Sequence, residues 1–293
     1  LLLGDRYEIF GASIAAGLLN IPIAHIGGGE VTTGAYDEFM RHSITKMSST
    51  HFAGHPIYKN RIIQLGENPS TVHYVGSLGA ENIELSRNNL FPREECEERL
   101  GIRFKTRNLF VTIHPETKSL NETIQNFNEL FYALEPLDDT TIIFSLPNAD
   151  PNFNLIIKMI KKFIGQDTGS RYLFESLGHQ MYFSLLQYVD AVVGNSSSGI
   201  LEAPSFKIAT INIGTRQDGR VRSPSVIDVE FRQNDIALAL QKIYSKDFLS
   251  TVKEVTNPFY KSDTAYQIAN TLIDYPEPIS PKLFYDLPHI KYL

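Results

Sequence analysis

Short, β-branched apolar runs alternate along this chain with stretches of helical spacing, and that alternation constrains the fold more than any other feature. The runs fall at residues 1–4, 21–26, 51–53, 72–75, 109–113, 141–144, 172–174, 191–194 and 209–213. Helical spacing falls at 9–19, 37–46, 58–65, 122–134, 154–163, 180–188 and 201–206, with closing helices at 236–244 and 265–273. A parallel strand is covered on both faces by crossover helices, so it reads as a continuous apolar run and not as an alternating one. The pattern therefore predicts an α/β protein of parallel sheets with right-handed crossovers. A charged helix at 94–100 and a polar stretch at 101–108 interrupt it, which puts a boundary between two lobes near 84–106. Two such lobes offer a cleft at the carboxyl ends of their strands, where ligands bind in sheets of this kind. The chain opens on Leu1-Leu2-Leu3-Gly4-Asp5 without an initiator Met. That reads as the interior of a buried strand, and it predicts residues upstream and a first sheet only partly represented.

Composition narrows the class. With 42% hydrophobic and 20% charged residues, the chain has the make-up of a soluble globular protein. Its formal net charge of -6 leaves no basic footprint for nucleic acid. The single cysteine, Cys96, cannot form an internal disulfide, and no Cys/His pair has zinc spacing. A reducing cytoplasm is the simplest setting, with no metal expected. No apolar run reaches the ~18 residues that span a bilayer, and neither a signal peptide nor a membrane association is expected.

Several polar clusters fall at the ends of these runs. The most informative is Gly194-Asn195-Ser196-Ser197-Ser198-Gly199, followed by Glu202. Backbone N–H groups at a helix start, hydroxyls and flanking glycines suit a phosphate, and Glu202 can accept two sugar hydroxyls. An N-cap accounts for one serine, and three exceed what a cap needs. Asp5, in Gly4-Asp5-Arg6, is either an acid or base or the cap of the next helix, with Arg6 a partner for phosphate or carboxylate. His25 precedes Gly27-Gly28-Gly29-Glu30, a run that admits close approach of a ligand; alone, His25 also fits a hydrogen-bonded core histidine. On the helix from Asp37, Glu38 shares a face with Arg41 and His42. These are a first turn with an internal ion pair, or a general base held by Arg41. His114, before Pro115, can donate to phosphate or act as an acid on a leaving group. Arg216, Arg220 and Arg222, set among glycines, form either an anion-binding loop or a solvated charged one.

Read together, these stretches resemble the UDP-N-acetylglucosamine 2-epimerase family, in its hydrolysing branch of bacterial sialic and legionaminic acid synthesis. The resemblance rests on residues 4–10, 36–48, 76–82, 114–117, 194–199 and 214–222, which occur in order across nearly the whole chain. It implies a glycosyltransferase-B-like fold of two Rossmann-like lobes with the active site between them. By this resemblance, residues 1–90 are the later part of the first lobe and 91–262 the UDP-binding second. Residues 263–293 are a helix and tail packing back toward the first, which lacks its N-terminal part. The implied chemistry removes the sugar C2 proton, expels UDP anti, and adds water to release a free 2-epimerised sugar. No redox or metal cofactor is implied, and a homodimer is. Asp5 and Glu38 match the catalytic carboxylates, His25 a histidine of the hydrolysing branch, and His114 the histidine near the diphosphate. Ser196 and Ser197 match serines on phosphate, Glu202 the carboxylate on ribose, and Arg216 an arginine on the diphosphate. Leu177 and His179 fall where the uracil pocket is expected. Several relatives carry Glu two residues after the matching histidine; here that position is Gly27, so the C2 base falls to Asp5, Glu38 or Glu30. Two other functions remain compatible: a nucleotide-sugar glycosyltransferase of the same fold, and a UDP-binding module without catalysis.

Overall fold

The computed structural model describes residues 1–33, 37–115, 119–146, 153–275 and 282–288. The chain forms two compact units. One comprises Leu1–Asn82, Asp218–Arg220 and Pro258–Leu293; the other comprises Ile83–Gln217 and Val221–Asn257. In chain order the first holds β1 (Leu2–Leu3), α1 (Tyr7–Leu18), β2 (Ala24–Ile26), α2 (Asp37–Met47), β3 (Thr50–Ala53), α3 (Pro56–Gln64) and β4 (Val72–Tyr74). α4 (Leu78–Ser86) carries the chain across the division. The second unit holds α5 (Arg93–Leu100), β5 (Arg107–Thr112), α6 (Leu120–Leu134), β6 (Thr140–Ser145), α7 (Phe153–Ile164), β7 (Arg171–Phe174) and α8 (Gly178–Leu186). It continues with β8 (Ala191–Gly194), α9 (Ser197–Leu201), β9 (Ala209–Ile213), β10 (Val226–Val229), α10 (Gln233–Lys242) and α11 (Lys246–Lys253). α12 (Thr264–Ile273) returns to the first unit.

In the first unit the strands lie parallel in the order β1-β2-β3-β4. Leu2 pairs with His25, Ala24 with Thr50, and His51 with Val72. Ala24, Ile26, Phe52 and Val75 pack with Ile268 of α12, while Ile44 of α2 and Tyr58 and Ile62 of α3 are fully buried.

The second unit has a six-stranded, wholly parallel sheet in the order β10-β9-β8-β5-β6-β7. Alternate residues of each strand enter opposite layers. Leu109, Val111, Ile142, Phe144, Val193 and Ile211 join one layer with Phe127 and Ile160. Phe110, Ile143 and Val192 join the other with Ile102, Phe183 and Leu185. Both faces are therefore covered, which is why these strands read as unbroken apolar runs. The chain leaves β5 toward β6 and β7, then crosses back to β8 on the other side of β5. That reversal opens a crevice at the carboxyl ends of β5 and β8. Gly194 closes β8 with φ +138, and a Cβ there would lie 1.9 Å from the Thr112 carbonyl oxygen, so only glycine lets the two strand ends approach.

The pattern of elements differs from expectation at four places. β10, α4 and α11 carry no strong apolar run; β10, Val-Ile-Asp-Val, is an edge strand with no buried residue. The helix expected at 201–206 is instead α9 followed by a 3₁₀ turn, Ala203–Phe206. The Ser196 side chain caps α9 through the Ser198 N–H at 3.4 Å, and Pro204 prevents its continuation.

Candidate active site

A buried arginine organises the first unit's polar cluster. Asp5 lies on the turn between β1 and α1; Glu38 and Arg41 sit three residues apart on α2. Arg41 is 1% exposed, which is tolerable for a guanidinium only if its donors are matched. Its Nε donates to Asp5 Oδ2 at 2.7 Å, and one terminal nitrogen lies 2.6 Å from the same oxygen and 2.8 Å from Thr32 Oγ1. The other donates to Glu38 Oε2 at 2.6 Å and to the Glu30 carbonyl at 3.2 Å. Burial opposes the Arg41 charge, but the carboxylates of Asp5 and Glu30 outweigh it and hold the guanidinium protonated. Glu38 Oε2 also receives the Thr32 N–H at 2.7 Å, and Oε1 lies 3.1 Å from His42 Nε2. Burial would raise the Glu38 pKa, but Thr32, His42 and Arg41 together bring it below the usual value. One cation thus joins two carboxylates whose side chains stay 22% and 27% exposed.

The other expected residues of this unit sit differently. His25 lies within β2, is 1% exposed, and reaches the Gly4 carbonyl through Nε2 at 2.9 Å and Thr45 Oγ1 through Nδ1 at 3.3 Å. Burial pushes its pKa down to about 4, so the neutral ring donates to Gly4 and holds the residue before Asp5. Glu30 pairs with Arg220 at 2.8 Å. Arg6 is exposed; it meets Glu8 at 3.5 Å, a contact of little energetic weight, and lies over the Tyr7 ring at 5.9 Å from its centroid.

In the second unit, a cavity of about 440 Å³ opens at the β5/β8 crevice. His114, Ser145, Glu175, Leu177, His179 and Ser196 line it, together with Tyr182 and Ser198. Ser197 is not among its lining residues. His114 is 6% exposed; burial, then the charge of Arg216, pushes its pKa down to about 3, so it is a neutral donor or acceptor at physiological pH. Asn195, fully buried, staples the crevice. Its Oδ1 accepts the His114 N–H at 2.7 Å, and its Nδ2 donates to the His114 carbonyl at 2.8 Å. The Asn195 carbonyl in turn accepts Arg216 at 3.2 Å and Gln217 Nε2 at 2.8 Å. Burial raises the Glu202 pKa against hydrogen bonds from Ser198 and Tyr182, and Tyr182 also bonds Ser198. The His179 ring packs edge-on against Phe183, 4.1 Å between centroids. A cavity of this size lined by hydroxyls, two imidazoles and apolar walls suits a small polar ligand.

Thr32, Asn195 and Tyr182 take part in these clusters but were not singled out from sequence. Asn195 stands inside the serine motif, where its side chain could have been suspected; Thr32 and Tyr182 carry no local signal. Tyr36, Glu116 and Thr117 of the motif stretches lie outside the described residues. Among the described residues, no group of His, Cys, Asp and Glu could hold a metal, and no helix is long and apolar enough to cross a membrane.

A doubly wound parallel sheet with a polar cavity at its switch point defines a Rossmann-like α/β protein. Residues 1–273 match the family model for UDP-N-acetylglucosamine 2-epimerase, and the chain belongs to that family. It is 42% identical over 292 residues to the polysialic acid biosynthesis protein P7 of Escherichia coli, covering 98% of this chain and 73% of that protein. It is 40% identical over 247 residues to the GDP/UDP-N,N'-diacetylbacillosamine 2-epimerase (hydrolyzing) of Campylobacter jejuni, covering 84% of this chain and 63% of that one. The chain therefore spans less than two thirds of that enzyme's length. The crystal structure of the Neisseria meningitidis UDP-GlcNAc 2-epimerase bound to UDP-GlcNAc shares the fold, with TM-score 0.81 and 19% identity over 92% of this chain and 75% of that one.

Proposed function

We propose that this protein is a hydrolysing 2-epimerase that converts UDP-N-acetylglucosamine, or UDP-N,N'-diacetylbacillosamine, to the free 2-epimeric sugar and UDP. The observation that carries the reading is the Arg41 clasp on Asp5 and Glu38 at 2.6 to 2.7 Å. Epimerisation through elimination needs one group to take the C2 proton and another to return a proton to the opposite face. Asp5 is the base: Arg41 occupies only its Oδ2, and no hydrogen bond to Oδ1 is seen among the described residues. Its lone pair takes the C2 proton as the C1–O bond breaks and UDP departs. Glu38 and His42 serve the second half, in which water adds to C1 and C2 is reprotonated. In the second unit, Ser196, Ser197 and Arg216 hold the diphosphate, Glu202 the ribose, and the Leu177 and His179 end of the cavity the uracil. The neutral His114 contributes a hydrogen bond to the departing phosphate. The activities of the related proteins support the sugar class, and sialic or legionaminic acid synthesis would consume the product. A cytoplasmic homodimer completes the reading, checked by fractionation and light scattering.

Proton NMR with UDP-N-acetylglucosamine in D2O tests the proposal. Free N-acetylmannosamine deuterated at C2, together with UDP, is expected. UDP-N-acetylmannosamine without free sugar would place the chemistry in non-hydrolysing epimerisation. Sugar transfer to an acceptor would indicate a glycosyltransferase. UDP binding without turnover of either substrate would leave a binding module.

A further inference from the structure

Of the three arginines in the loop after β9, Arg220 has a distinct position. Asp218–Arg220 fold into the first unit, although the residues before and after belong to the second. There they grip the segment 29–33, which begins on the last of three consecutive glycines and forms neither helix nor strand. The Thr33 N–H donates to the Asp218 carbonyl at 3.3 Å. Arg61 bridges the carbonyls of Gly219 at 3.3 Å and Gly29 at 3.4 Å. A Cβ on Gly219, at φ +89, would lie 2.4 Å from Val31 Cγ1, so the two segments are in close contact. Arg220 then closes on Glu30 at 2.8 Å, with the two side chains only 10% and 17% exposed.

The gripped segment is also what holds the carboxylate cluster. The Glu30 carbonyl and Thr32 Oγ1 accept from Arg41, and the Thr32 N–H donates to Glu38 Oε2 at 2.7 Å. We propose that Arg220 is a positioning residue: by anchoring Glu30 it fixes residues 29–33 and, through Thr32, the orientation of Glu38 and Arg41. Glu30 is then an anchor and not the C2 base. This inference rests on the epimerase reading for its kinetic consequence, though not for its structural one. Without Arg220, the Glu30 carboxylate is a stranded, largely buried charge. It already acts on Arg41, and it would compete with Asp5 and Glu38 for that guanidinium.

The test compares Arg220→Met, Arg220→Lys, Glu30→Gln and the double variant Arg220→Met/Glu30→Gln in the whole protein. Displacing a reacting group by about 1 Å costs about 10²-fold in rate, so Arg220→Met should lower kcat by ~10- to 100-fold. KM and UDP affinity should stay within about threefold, because the change lies outside the nucleotide contacts. Arg220→Lys should recover part of kcat. The double variant should be faster than Arg220→Met, since it removes the stranded charge. Amide exchange over residues 29–33 should rise in Arg220→Met and fall back in the double variant, a readout that needs no turnover. Wild-type exchange behaviour in Arg220→Met would overturn the inference whatever the enzyme activity. So would a Glu30→Gln variant as inactive as Asp5→Asn, which would make Glu30 the base. Loss of UDP affinity at unchanged kcat would also overturn it, by assigning Arg220 to the nucleotide. Absence of turnover in the wild-type protein would instead refute the epimerase reading alone.

Discussion

Replacing Asn195 by Ala should both destabilise the second unit and weaken nucleotide binding. The side-chain amide makes two hydrogen bonds to the backbone of His114, at 2.7 and 2.8 Å, in a fully buried setting. Truncation strands the His114 N–H and carbonyl, each at about 1–3 kcal/mol, so we expect a loss of about 2–4 kcal/mol once partial rearrangement is allowed for. At a urea dependence of ~2–3 kcal/mol per M, the unfolding midpoint should fall by about 1 M. The same amide keeps His114 and the serine turn together at the cavity, so UDP affinity by calorimetry should fall at least ~10-fold, a loss of about 1.4 kcal/mol. Asn195→Asp gives an internal check. Its carboxylate still accepts the His114 N–H but sets a second oxygen against the His114 carbonyl. Protonation supplies the missing donor, so this variant should recover stability relative to wild type as pH falls toward 4. An Asn195→Ala protein within ~0.5 kcal/mol of wild type, with unchanged UDP affinity, would refute the stapling argument.

Asp5→Asn and Glu38→Gln should each reduce kcat by ~10²- to 10⁴-fold while UDP affinity stays within about twofold; near-normal turnover in both would remove them from the acid–base role. His114, with its pKa near 3, should show a ring chemical shift that is flat between pH 5 and 8 in NMR titrations, and a midpoint near 6.5 would contradict its burial. In the first unit Glu67, 2% exposed, meets Lys46 at 2.6 Å, Lys282 at 2.7 Å and His51 at 3.0 Å. Burial would raise its pKa, but His51, Lys282 and Lys46 bring it down to about 2. Because the folded pKa is depressed, this stabilisation is fully present above the unfolded value near 4.5 and is lost as pH falls from there through about 2. Urea unfolding across that range should show an acid loss of up to about 3 kcal/mol from this group, and Glu67→Gln should flatten it.

The layered α/β architecture was legible in the amino-acid sequence because burial on both faces of a parallel strand imposes a local, continuous apolar signature. The strand at Ala191–Gly194 and the strand at Ala209–Ile213 have the limits their composition suggests, since each is walled in along its whole length. β10 escaped detection because an edge strand bears that constraint on fewer sides, and its Asp228 sits exposed in the middle. The serine run, His114 and the Asp37-to-His42 stretch announced themselves by unusual local chemistry. The partnerships among them did not. Arg41 meets Asp5 across 36 residues of sequence, Asn195 meets His114 across 81, and Glu30 pairs with Arg220 from the loop after β9. Local pattern records which face of an element is buried, whereas the pairing of side chains depends on which strand ends the crossovers bring together. For the same reason sequence does not rank Asp5, Glu38 and Glu30 as the base. Asp5 and Glu38 share Arg41 and differ in the second carboxylate oxygen, which meets His42 in Glu38, whereas Glu30 meets Arg220; only the folded chain brings these partners together.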